Sequence, residues 1–106
     1  MAVELRALPR FTFSPRTGGP QTQAQTVGFS ALPRSAVAAI NGFGIGYTFS
    51  DHHLLREEID VGTTIQNGAE GPEVSVRVNF ALRDSSGSYD DAYGGFVDVV
   101  LIVDLS

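Results

Sequence analysis

The chain has no cysteine, no lysine and no tryptophan among its 106 residues. Without cysteine there is no disulfide, no thiolate metal site and no thiol nucleophile. The absence of lysine leaves all seven basic residues as arginine, which we read as coding-base bias rather than function. No apolar run approaches the roughly 20 residues of a membrane span, so no membrane insertion is expected. The start, Met-Ala-Val-Glu-Leu-Arg, meets a charge at once and has no apolar core, so it does not read as a signal peptide. Cytoplasmic synthesis is the expectation, with release inside a larger particle compatible with it. A basic footprint is lacking too. The net charge is −5 and the arginines are scattered, which argues against nucleic acid as a partner. No segment shows a helical period, and no glycine-rich loop precedes a helix.

What the chain does have is alternation. Val74, Val76, Val78, Phe80 and Leu82 alternate with Ser75, Arg77, Asn79, Ala81 and Arg83. A period of two marks a strand with one buried face. Leu55 to Ile65 alternates in the same way, and Gln66 to Pro72 reads as a turn with Asn67-Gly68 at its tip, so 54–83 is predicted to be a hairpin. Ala36 to Phe49 reads as one long bent strand, with Gly42, Gly44 and Gly46 leaving a bare trough on one face. Thr22 to Phe29 reads as a polar edge strand, and Val3 to Leu8 as a short first strand limited by Pro9 and Pro15. The last strand, Phe96 to Leu105, is apolar on most of both faces. That predicts a central strand under a loop or, the reading we prefer, a subunit interface. The fold class expected is all-β, an antiparallel β-sandwich of six or seven strands with no substantial helix. It is a single domain over 1–106, with 1–25 as an N-terminal strand or arm.

Two polar clusters are candidates for chemistry. Asp84 to Asp91 holds three carboxylates and three serines, followed by Tyr93, Gly94 and Gly95. Hard cations such as calcium take several oxygens from loops of this kind, although the spacing is not that of a calcium-binding loop. The alternative is a loop whose Asp and Ser side chains bond their own backbone. Asp51, His52 and His53 form the second cluster. On a strand the two histidines point to opposite faces and cannot share a metal; in a turn they can, but two histidines and one aspartate are a weak zinc signal. They also carry charge that changes near pH 6. Glu57 and Glu58 alternate across a strand and read as exposed charge, and nothing resembles a nucleophile elbow. The expectation is therefore a protein that is not an enzyme.

The run Phe29, Pro33 and Val37-Ala-Ala-Ile40, the hairpin residues Glu57 to Val61 and Val74 to Phe80, and the closing strand Val99 to Val103 together resemble the H-type lectin domain. The likeness spans about residues 26–105. It implies a six-stranded antiparallel sandwich that trimerises, with sugar sites between subunits. Leu101 stands near the place of that family's closing-strand tryptophan, and the acidic loop after Asp84 departs from its pattern. On this basis the expected function is a carbohydrate-binding homo-oligomer. Its ligand-contact residues, taken from the two polar clusters and not from the resemblance, are expected to be Asp51, His52, His53, Asp84, Asp90, Asp91 and Tyr93, with no cofactor beyond an optional calcium ion. The alternative is a structural or adaptor subunit of a tail-like or fibre assembly, whose partner is another protein.

Overall fold

The computed structural model describes residues 2–47, 54–84 and 92–105, without the side chains of 54–56, 83 and 84. Seven strands are present: β1 (Val3–Ala7), β2 (Phe11–Arg16), β3 (Gln21–Gly28), β4 (Ser35–Tyr47), β5 (Leu54–Gly68), β6 (Gly71–Asp84) and β7 (Tyr93–Asp104). They form two antiparallel sheets. In the first, β7 is central, with β4 along one side and β1 and β2 in succession along the other. The second runs β3-β6-β5. All-β, antiparallel and sandwich-like is thus the observed class. Among the described residues no helix is long and apolar enough to cross a membrane.

Each expected strand exists, and one more was not read from the sequence. β2 contains Pro15, which argues against a ladder strand. It is tolerated because β2 is an edge strand, and the register with β7 shifts between Phe13 and Arg16 around it. β1 and β2 behave as one edge strand interrupted at Pro9, and the Leu8 amide still donates to the Val99 carbonyl at 3.0 Å. β4 is a single strand with a register shift between Ile40 and Gly42, so Asn41 is a bulge rather than a turn. In the β5–β6 hairpin, Asn67 and Gly68 are not the tip. Gly68 pairs with Gly71, and Ala69-Glu70 makes the turn, helped by the positive φ of Gly71.

The core follows from the alternation. β6 contributes Val74, Val76, Val78, Phe80 and Leu82; β7 contributes Val97, Val99, Leu101 and Val103. Phe11, Phe13 and Tyr93 complete it, and the Phe13 and Phe80 rings stack at 4.4 Å between centroids. Burying an aliphatic or aromatic side chain of this size stabilises the fold by about 1.5–3 kcal/mol relative to leaving it in water.

The polar strand β3 has a role its composition did not announce. Gln21, Gln23 and Gln25 are in register with Phe80, Val78 and Val76, so they lie on the core side of their sheet. Their amides cross to the other sheet. Gln21 Nε2 donates to the Tyr93 carbonyl at 3.0 Å, Gln25 Nε2 to the Pro9 carbonyl at 2.7 Å, and Gln23 Nε2 to the Thr12 carbonyl. These bonds satisfy one backbone acceptor each on β7, on β2 and at Pro9 before it, and close that rim of the sandwich. The opposite rim has a lighter bridge, Thr63 Oγ1 to the Ala36 carbonyl at 3.0 Å. Further along β4, Ile40 and Phe43, the latter 52% exposed, stand open.

Candidate functional site

Register pairs the strand ends that flank the two polar segments. Tyr47, where β4 stops, pairs with Tyr93, where β7 starts; Leu54, where β5 starts, pairs with Asp84, where β6 stops. Segments 48–53 and 85–91 are therefore bounded by strand ends that are neighbours. Asp51, His52, His53, Asp90 and Asp91 lie outside the described residues. Asp84 is the last residue of β6.

Tyr93 requires a correction. It is not a loop residue offering a ring to a ligand: it begins β7 and is 0% exposed. Its hydroxyl lies 2.5 Å from the Gly19 carbonyl and 3.3 Å from that of Phe80, and its ring stacks near Phe80 with centroids 5.9 Å apart. The hydroxyl is thus a strut from β7 to the β2–β3 turn. Gly94 and Gly95 are likewise strand residues. A Cβ on Gly94 would lie 2.5 Å from the Phe13 carbonyl, and one on Gly95 would fall on the Gly44 carbonyl. Gly94 is needed where β2 crosses close by at its register shift, and Gly95 has a φ of 155°, a conformation that L side chains rarely adopt and that would turn a Cβ into β4.

The glycine trough of β4 is filled from within the chain at Gly44 and stays open at Gly46. The Phe96 ring packs over Gly44, where a Cβ would come 2.6 Å from the ring edge. Arg10 lies over that ring, 3.8 Å from its centroid. Its Nε and Nη2 donate to the two oxygens of Asp98, each at 2.9 Å. Those bonds, with charge attraction adding to them and desolvation opposing, hold the Asp98 carboxyl below the usual carboxylate range and push the Arg10 guanidinium up.

Between Asp98 and the Val3–Asp104–Ser35 row, two rows of that outer face are apolar. Leu5 pairs with Ile102, which pairs in turn with Val37; Ala7, Val100 and Ala39 form the adjacent row. Leu5 is 66% exposed and Val37 58%. β7 is central, as one of the two readings of its composition required, but among the described residues no loop lies over these two rows. Beside them runs the outer edge of β4. Of the other edges, β1 has the inward Glu4–Arg6 pair at 2.8 Å, β2 has Pro15, β5 has Glu57, Glu58 and Asp60, and β3, which like β4 has neither charge nor proline, has its glutamine amides engaged across the rim. From Ser35 to Tyr47, β4 has neither a charge nor a proline.

Two shallow open depressions occur elsewhere, one beside Ser14, Arg16 and Thr22, the other beside Phe29, Glu70 and Pro72. Among the described residues no group of three His, Asp or Glu side chains is placed to hold a metal ion. The residues that sequence reasoning missed are Gln21, Gln23 and Gln25, and Arg10 with Asp98. The glutamines were legible in principle, because they are in phase with Val27, a residue packed on the core. The Arg10–Asp98 pair joins positions 88 residues apart and has no local signal.

No protein family model, curated protein or solved structure matches the chain.

Proposed function

We propose that the chain is a non-enzymatic recognition module that works as a homo-oligomer and binds carbohydrate. The observation that carries the assembly is the pair of uncovered surfaces on one sheet. These are the apolar rows of β1, β7 and β4, and the unguarded edge of β4. Isolated exposed apolar residues are ordinary, but contiguous rows mark contact surfaces. Such rows on a long edge strand suit association with an identical copy, since the β4 edge itself carries no charge to repel one. The resemblance to H-type lectins supports the carbohydrate ligand and implies three subunits. The ligand would meet the end of the sandwich where segments 48–53 and 85–91 begin and stop, with Asp51, His52, His53, Asp84, Asp90 and Asp91 as contacts. Tyr93, being core, is no longer among them.

The test has two parts. Light scattering on the native protein should give a multiple of the chain mass, and Leu5→Glu with Val37→Glu should reduce it to one chain without unfolding. Ile102 faces the same way, whereas Leu101 is core, so charge at Leu101 would report on folding instead. A glycan array run with calcium and again with chelator should then give defined hits. A monomeric mass for the native protein removes the assembly; a blank array on a folded oligomer removes the lectin. The unguarded β4 edge favours a second reading, a structural subunit of a fibre or tail-like particle, in which that edge continues the sheet into the next chain. Filaments from the native protein, with a blank array, would select it.

A further inference from the structure

The outer face of the β3-β6-β5 sheet is assembled from short side chains around one arginine. Register sets its rows. Asp60, Asn79 and Thr22 form one; Gly62, Arg77 and Ala24 the next; Thr64, Ser75 and Thr26 the third. Arg77 is exposed on the central strand, and its cross-strand neighbours are the two smallest residue types. A Cβ at Gly62 would come 3.0 Å from an Arg77 Nη, so the guanidinium lies across β5 in space that glycine leaves open.

The neighbouring acids are engaged by other groups. Asn79 Nδ2 donates to Asp60 Oδ2 at 3.3 Å, and the Asn79 carbonyl accepts from Thr22 Oγ1 at 2.8 Å. Gln66 Nε2 donates to Glu73 Oε1 at 2.9 Å. Among the described residues no carboxylate pairs with Arg77. A chain with a net charge of −5 therefore presents an open guanidinium on a flat surface, with the hydroxyl row Thr64–Ser75–Thr26 on one side and the Asp60–Asn79–Thr22 row on the other.

We propose that this face binds a saccharide bearing a carboxylate, such as a uronic acid unit. The planar fork of Arg77 takes the two carboxylate oxygens side by side. Gly62 and Ala24 leave the sugar ring room to lie against the sheet. Rows along a strand repeat every ~7 Å, so the Thr64–Ser75–Thr26 row and the Asp60–Asn79–Thr22 row flank the ring with donors and acceptors for its hydroxyls, the Asp60 carboxylate among the acceptors. An acidic peptide would want apolar grooves beside the charge, and this face has none. The site is distinct from the end of the sandwich and rests on neither the oligomer nor the lectin reading.

The test is amide-shift titration of the labelled native protein with digalacturonate, methyl glucoside, acetate and hexaglutamate in parallel. Digalacturonate should saturate shifts confined to Ala24, Gly62, Arg77 and the flanking rows, at least about tenfold more tightly than the other three. Arg77→Gln and Gly62→Val should abolish the effect, and Arg16→Gln should not. Arg77→Lys keeps the charge but loses the fork, and it should weaken binding about tenfold or more, which tests the fork even if Arg77→Gln does not fold. Equal binding of acetate would reduce the site to a simple anion contact, and tighter binding of hexaglutamate would make it a peptide surface. Either result, or no shift at all, overturns the proposal.

Discussion

Tyr93 separates two accounts of this protein most cleanly, because a ligand-contact tyrosine and a core tyrosine respond to the same substitutions in opposite ways. In the structure the ring is fully buried against Phe80, and the hydroxyl ties β7 to the Gly19 carbonyl. Tyr93→Phe keeps the ring and removes one buried donor, which should cost about 1–2 kcal/mol. Tyr93→Ala removes the ring as well. Core aromatic truncations cost about 3–5 kcal/mol, and loss of the hydroxyl bond adds to that. Domains of this size are stable by only about 5–15 kcal/mol, so Tyr93→Ala should leave the protein marginal or unfolded. Urea unfolding followed by fluorescence or circular dichroism reads both values. In thermal melts each kcal/mol should move the midpoint by about 4–8 °C. If both variants stay within about 0.5 kcal/mol of the parent, as surface substitutions do, the burial argued here is wrong.

Three further outcomes follow from the same geometry. Asp98 has a depressed folded-state pKa, so the stability it contributes is present above the ordinary carboxylate range and is lost as pH falls through its folded value, below about pH 4. Carbon NMR of the Asp98 carboxyl should show a low titration midpoint that rises in Arg10→Gln; an unmoved midpoint would mean that Arg10 is not its cause. Gly44→Val should cost about 1–3 kcal/mol, since the Phe96 ring must leave its place. Gly42→Ala, whose nearest atom would be an ordinary 3.7 Å away, should stay within about 0.5 kcal/mol, and equal effects would dismiss the packing argument. Gln21→Leu strips a buried carbonyl of its donor and should cost about 1–3 kcal/mol, against at most about 1 kcal/mol for Gln25→Leu at the exposed end of the row. Chemical denaturation of the two variants ranks them, and the reverse order would contradict the bridging role.

How much of this was legible depends on what local pattern can encode. The β5–β6 hairpin and β7 were readable because alternation states which residues share a face, and a buried sheet tolerates no slip of one residue. β2 was not readable, because Pro15 signals a break unless its strand is known to lie at an edge, and edges are a property of topology. The three glutamines of β3 misled for a related reason. Polar alternation ordinarily means a face in water, but at the rim of a sandwich an amide long enough to reach the other sheet is worth more inside.

Gly94 and Gly95 pose the hardest case. Next to an acidic, serine-rich run they look like the end of a loop, and they carried Tyr93 into the loop with them. The reason at Gly94 is steric, since a Cβ there would meet the β2 backbone, and at Gly95 it is conformational, since its φ of 155° is one that L side chains rarely adopt; neither loosens a loop. Composition cannot distinguish a glycine chosen for freedom from one chosen for thinness, because the side chain absent is the same. The distinction moves Tyr93 by one structural layer, from a surface where it would touch a ligand to the core where it holds the β2–β3 turn. The same limit applies to the outer face of β7. Alternation puts Val100 and Ile102 opposite the core. It does not say what covers them, and Leu5 and Val37, which join them from β1 and β4, are brought there only by pairing across the sheet. An apolar surface built from three separated segments has no sequence signature at all, so the strongest argument for assembly in this protein arises only once the sheet is closed.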